Sequence, residues 1–376
     1  MTHKLFSCFL FFCTSIAIAQ NSLEFDGQLL FQGNATFNEP STFFTGGRYL
    51  PELTYRTEID NDQSFTLQTA ANFSFSKFFN KNQSSPLTSS LNPYRAWARY
   101  INKQWEFRLG LQKIDFGSAT LLRPLQWFNQ IDPRDPLALT NGVYGLLMRY
   151  YFKNNTNIWL WGLYGNDKTR GFDALPTFNR KPEFGGRFQT IVPKGELAIS
   201  YHYRTAAADE NKWINPFTEN PEYRIGLDAK WDLGVGLWFE SSYIKRNRNI
   251  GAFTEQYLLT VGIDYTFAIG SGLNLVGEHL VSGYGQNDPF QEKPTHFSAL
   301  SGSYPISFFN SLNVLYYHHW STHQNTFLIN YQHQFTGITA YLIAYYNPES
   351  LQGIQQNDIL NTFSGPGLQL LFVYNH

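Results

Sequence analysis

The chain has 376 residues, 28 Lys and Arg against 29 Asp and Glu, and a formal net charge of −1. Aromatic residues make up 18 % of it, yet its mean hydropathy is −0.33. The near-neutral balance supplies no basic patch for nucleic acid, and no run after residue 20 is long and apolar enough for a membrane helix.

Residues 1–19 read as a cleavable secretory leader. Lys4 gives the positive start, Leu5 to Ile16 the apolar stretch, and Ala17-Ile18-Ala19 the small-x-small cleavage site. The stretch is too short for a spanning anchor. A lipid-modified Cys13 is disfavoured because Phe12 stands where a small residue is needed. Both cysteines, Cys8 and Cys13, leave with the leader. The mature chain, 20–376, then has no disulfide, no thiolate nucleophile and no thiolate metal site.

Period two takes over from Leu23. Leu23, Phe25, Leu29, Phe31 and Phe37 alternate with Glu24, Asp26, Gln28, Gln32 and Asn34. The same pattern sets Leu53, Tyr55 and Ile59 against Thr54, Arg56 and Asp60, and Ile199, Tyr201 and Tyr203 against Ser200, His202 and Arg204. Tyr223, Ile225 and Leu227 stand opposite Arg224 and Asp228, and Phe327, Ile329 and Tyr331 opposite Asn330 and Gln332. Alternation over about ten residues is longer than an average soluble strand and fits a tilted membrane-crossing one. Outward charge costs several kcal/mol near the bilayer midplane, so the polar series is expected to face inward, onto a wet lumen. The expected fold is all-β: a transmembrane antiparallel up-and-down barrel of about 18 strands (16–18), wide enough for an aqueous channel.

The connections sort by length. Short turns are expected at 61–63, 102–104, 153–156, 193–195, 232–236, 268–272, 305–310 and 336–337. Long loops are expected at 38–48, 77–92, 117–142, 165–182, 206–222, 247–255, 282–295, 321–325 and 347–363. A secreted sandwich or propeller also has many short strands but no reason to alternate its loops this way.

The third long loop, 117–142, carries the densest signal. Pro124, Pro133 and Pro136 exclude a strand interior. Asp132, Arg134 and Asp135 are expected to tie the loop to wall arginines Arg95, Arg99 and Arg108, with Arg123 beside them, since Arg pairs bidentately with carboxylates. Trp127 and Phe128 could stack on a sugar ring or pack the loop onto the wall, packing being the expected role. The segment from Arg108 to Leu139, with Gly110-Leu111-Gln112, Phe116-Gly117 and Asp132-Pro133-Arg134-Asp135-Pro136, resembles a strand and loop of the alginate-export and related porin-like channels of Gram-negative bacteria. There a Gly-x-Gln strand ends in aromatic-Gly ahead of an Asn/Asp-Pro-rich loop; Leu111 stands where an Arg is common. In general porins the third outer loop folds into the lumen. The resemblance thus implies an outer-membrane channel for small hydrophilic solutes, without a cofactor. Arginines lining the constriction favour anionic or polyhydroxylated ones.

Leu368, Leu370, Phe372 and Tyr374 alternate to the end of the chain and resemble the C-terminal signal read by the barrel-assembly machinery, with His376 where Phe is usual. An enzymatic reading would rest on His318-His319-Trp320-Ser321-Thr322-His323. Neighbours on one strand face opposite ways, so Ser321 and a histidine do not converge by spacing alone. Nothing in the sequence marks a subunit interface or an oligomeric state.

Overall fold

The computed structural model describes residues 21–38, 41–80, 83–207, 219–290, 292–348 and 363–376; the expected leader lies outside them. The strands are β1 (Asn21–Thr36), β2 (Thr42–Asp60), β3 (Gln63–Asn80), β4 (Gln83–Ser84), β5 (Thr88–Ile101), β6 (Trp105–Gln112), β7 (Val143–Tyr151), β8 (Asn157–Leu163), β9 (Glu183–Val192) and β10 (Gly195–Ala207). They continue with β11 (Glu219–Asp232), β12 (Gly236–Arg246), β13 (Glu255–Phe267), β14 (Leu273–Gly285), β15 (Thr295–Ser307), β16 (Asn310–His319), β17 (Gln324–Gln334), β18 (Ile338–Asn347) and β19 (Gly365–Asn375).

The two-residue β4 pairs with the end of β3, and each remaining strand pairs antiparallel with the next. The seam closes where β19 returns to β1, from Gln28↔Asn375 to Thr36↔Gly367. Eighteen of these nineteen strands therefore form a closed up-and-down barrel, in which each has a partner on both sides. Each of the eight expected short turns spans a junction between consecutive strands, although at 305–310 β15 runs on to Ser307. The first two long loops are shorter than the sequence suggested, because the β2–β3 ladder runs on to Thr42↔Asn80. The loops at 206–222 and 347–363 lie partly outside the described residues.

The outer face is the apolar series. Leu53, Leu109, Ile199, Ile225, Val261, Leu300, Leu342 and Leu370 are all exposed, while their strand neighbours turn inward and are covered. An exposed apolar wall on a closed barrel is what a bilayer solvates, and the fold is that of an outer-membrane barrel.

The interior departs from the uniformly polar, wet lumen expected of it. On β9–β12 the inward positions are ionic: Glu183, Arg187, Arg204, Glu222, Arg224, Asp228, Glu240 and Arg246 are all buried. From β13 round to β2 many inward positions are apolar. Leu258, Leu280, Phe297, Leu315, Tyr317, Leu328, Ile343, Tyr345, Leu371, Leu30 and Phe44 form one cluster with Leu121 and Leu122 of the third long loop. Only lipid-facing charge is forbidden by the bilayer; inside, the wall takes the polarity of whatever packs against it, here leucines of a loop.

Candidate functional site

The connection between β6 and β7, residues 113–142, leaves the wall at Gly117, whose φ of +109° is open to glycine at little cost. A Cβ at that position would collide with the Glu240 carboxylate. Glu240 on β12 accepts from the backbone N–H of Ala119 (2.9 Å) and Leu125 (2.6 Å). Glu278 on β14 accepts from the N–H of Thr120 (2.7 Å), Leu121 (3.0 Å) and Leu122 (2.6 Å), from the Thr120 hydroxyl, and from Trp238 Nε1. Thr260 Oγ1 on β13 donates to Leu122 O at 2.7 Å, and Ser118 Oγ to Asp228 on β11 at 3.2 Å. Two carboxylates thus take up five backbone donors of an irregular segment that has no ladder of its own, in charge-assisted bonds.

Packing completes the seat. Leu125 and Trp127 lie over Gly226 of β11, where any Cβ would strike them. Trp127 Nε1 donates to Ser242 Oγ at 3.0 Å, and its ring meets Phe116 edge-on at 5.8 Å. Phe128 packs edge-on against Phe116 and Trp161. Both rings are almost wholly buried, so neither offers a face to a solute.

The residues singled out from sequence form short-range pairs rather than the long-range ones expected. Asp132 holds Arg134, two residues away, through Arg134 Nε (3.0 Å) and Nη2 (2.7 Å), instead of a wall arginine. Asp135 accepts from the N–H of Leu137 at 2.9 Å, and burial pushes its carboxyl above the usual range. Arg123 meets Asp115 at 2.8 Å; burial raises that carboxyl, but Arg123 and Lys113 outweigh it and hold it below the usual range. Arg95 does reach the loop, donating to the Thr140 hydroxyl (2.6 Å) and carbonyl (3.2 Å). Arg108 pairs with Glu106 at 2.8 Å, and Arg99 comes within 3.5 Å of Thr66. A two-residue reach costs less chain entropy than a pairing across the barrel, and so local partners win.

Arg149 on β7 joins this group, 3.3 Å from Glu106 and 3.8 Å over the Trp159 ring. Arg99 and Arg108 share the Trp97 ring, at 5.6 and 4.9 Å. Two guanidinium groups, Arg108 and Arg149, therefore flank the buried Glu106 carboxylate, with Arg99 beside Arg108 over Trp97; each of the three keeps an Nε with no hydrogen-bond partner among the described residues.

A second set of anchors was not singled out from sequence. In the connection 164–182, Arg170 pairs with Glu183 (3.1 Å), and Asp173 with Arg204 (2.9 Å) and Arg224 (2.7 Å). Glu222 gathers Arg204, Arg224 and Arg246 within 2.6 Å each. Arg187 meets Asp228 through two short bonds. The inward parity of Arg204, Arg224 and Asp228 was visible in the alternation; the part played by Arg170 and Asp173 had no periodic signal.

The histidine-rich stretch is split by strand alternation. His319 faces inward with Nδ1 on the Thr322 N–H (2.9 Å), whereas His318 faces outward with Nδ1 on Asn325 Oδ1 (2.7 Å). Neither is bonded to Ser321 among the described residues. No cluster of three or more His, Cys, Asp or Glu there could hold a metal ion.

No protein-family profile matches the sequence, and no curated protein is detectably similar to it. Solved structures do resemble it in fold. OccAB4 of Acinetobacter baumannii aligns with a TM-score of 0.57 at 9 % identity, over 95 % of this chain and 99 % of that one. OmpT, an outer membrane protein of Vibrio cholerae solved in a trimer form, aligns with a TM-score of 0.51 at 9 % identity, over the same shares. An anion-selective porin from Comamonas acidovorans aligns with a TM-score of 0.48 at 11 % identity, over 95 % of this chain and all of that one. At such identities the likeness is one of fold alone, the closed antiparallel barrel.

Proposed function

We propose that the protein is an outer-membrane channel for passive diffusion of small hydrophilic solutes, with residues 113–142 folded into the barrel as its constriction. The observation that carries this reading is the grip of Glu240 and Glu278, on inward faces of β12 and β14, on the backbone of a loop that leaves the wall at β6. A loop so held keeps a fixed shape, which a size-selective passage requires. Arg95, Arg99, Arg108 and Arg123, with Asp132, Arg134 and Asp135 shaping the loop, are the residues assigned to constriction and anchoring. Leu368, Leu370, Phe372 and Tyr374 face outward on β19, the row that the assembly machinery would read.

The solute class follows from charge. Arg108 and Arg149 are part-exposed beside Glu106 and Arg99 lies next to Arg108 on the Trp97 ring, so this stretch of wall carries net positive charge and favours anionic or polyhydroxylated solutes. Reversal potentials across a bilayer under a salt gradient test it. Anions are expected to permeate preferentially, and the triple variant Arg99→Gln/Arg108→Gln/Arg149→Gln should lose most of that preference while still conducting. Preferential passage of cations by the unaltered protein would end the assignment. A second reading, a plugged barrel with a structural role, is favoured by the apolar cluster that Leu121 and Leu122 make with the far wall. Absence of conductance from folded protein would select it.

A further inference from the structure

The barrel exterior carries a polar row, across β14 to β17, that neither the pore nor the lipid contact uses. His279, Ser298, His318 and Asn325 stand in a single register row across β14, β15, β16 and β17. Their inward neighbours Glu278, Leu280, Phe297, Ala299, Tyr317, His319 and Thr326 are buried, so the row itself faces outward. His296 and Trp320 lie one step nearer the long-loop end, with Trp320 N–H on His296 O at 3.0 Å. One step the other way the row becomes Gly277, Leu300, Tyr316 and Phe327. The polar row therefore sits at the rim, directly above an apolar and aromatic one.

In one tautomer of its two rings the hydrogen bonds run in a single direction. Trp320 Nε1 can only donate, and it donates to Ser298 Oγ at 2.9 Å. In that tautomer the Ser298 hydroxyl donates to His279 Nδ1, 2.9 Å away. His279 in its neutral form carries its own proton on Nε2, which lies 3.2 Å from His296 Nδ1. The chain ends with an N–H on His296 Nε2, a donor with no partner among the described residues and strengthened by the bonds behind it. Among the described residues no carboxylate is bonded to Trp320, Ser298, His279 or His296.

We propose that this relay docks a phosphate-bearing lipid headgroup at the loop-side rim, His296 Nε2 donating to a phosphate oxygen while Trp320 and the row below receive the acyl chains. An anionic oxygen suits a patch that has donors and imidazoles but no acid. It suits it better than a second copy of the chain related by a twofold axis, which would set imidazoles against imidazoles.

Native mass spectrometry of the purified full chain in detergent tests this, with dioleoyl phosphatidic acid, dioleoylglycerol and inorganic phosphate as separate probes. Phosphatidic acid should bind and dioleoylglycerol should not; binding of inorganic phosphate alone would reassign the site to a free anion. His296→Ala should weaken phosphatidic acid binding about tenfold, the loss of one charge-assisted bond. His296→Gln should restore most of it, because its amide N–H falls near the lost donor. Heat-modifiable gel migration checks that each variant is folded. Equal binding by wild type and His296→Ala, or a dimer that His296→Ala dissolves, would overturn the proposal.

Discussion

Replacing Glu278 with alanine should raise single-channel conductance and make it noisy, with frequent transitions between levels. Glu278 accepts from three consecutive backbone N–H groups, Thr120, Leu121 and Leu122, besides the Thr120 hydroxyl and the Trp238 indole. Hydrogen bonds to a charged acceptor contribute about 1.5–3 kcal/mol each, and donors left buried add their desolvation cost. Loss of the two shortest alone would weaken the hold on the loop by roughly 3–6 kcal/mol. The loop keeps Glu240 and the Trp127–Ser242 bond, so it should loosen rather than leave. Glu240→Ala with Glu278→Ala should widen the passage further. Planar-bilayer recording reads both, and a conductance unchanged in the double variant would mean that the segment does not limit the passage.

Glu222→Ala should be the most destabilising single substitution in the wall. Glu222 is wholly buried and stands among Arg204, Arg224 and Arg246, with Asp173 also paired to Arg204 and Arg224. Removing one partner from a buried ionic cluster costs about 3–5 kcal/mol, because the remaining charges keep their desolvation penalty without the attraction. The expected result is a clear fall in the urea midpoint of tryptophan fluorescence in detergent. Adding Arg246→Ala should recover part of the loss, since the second change removes one of the uncompensated charges. A midpoint equal to that of the unaltered protein would show that the cluster holds 164–182 in place without supporting the barrel.

The wall was legible in the sequence because its cause is local. Lipid on one side makes Ile199, Tyr201 and Tyr203 alternate with Ser200, His202 and Arg204, and each short turn restarts the count. The third loop announced itself through Pro124, Pro133, Pro136 and Gly117, all of them backbone constraints. Partners were not legible. Period two says that Glu240 and Glu278 point inward, but not that they face Ala119 and Leu121, more than a hundred residues back along the chain. Nor does a cluster such as Asp132, Arg134 and Asp135 say whether it pairs with itself or with a strand. The apolar half of the interior had left a trace: Leu371 and Val373 occupy inward positions of β19. Such residues in a polar series mark where a loop is received.

Single-channel recording of the purified full chain in a planar bilayer bears most directly on the barrel as a passage. Folded, heat-modifiable protein should give discrete conductance steps, with a reversal potential under a salt gradient on the anion-selective side. Folded protein that leaves the bilayer sealed would contradict it, and would make loop 113–142 with its apolar seat a plug.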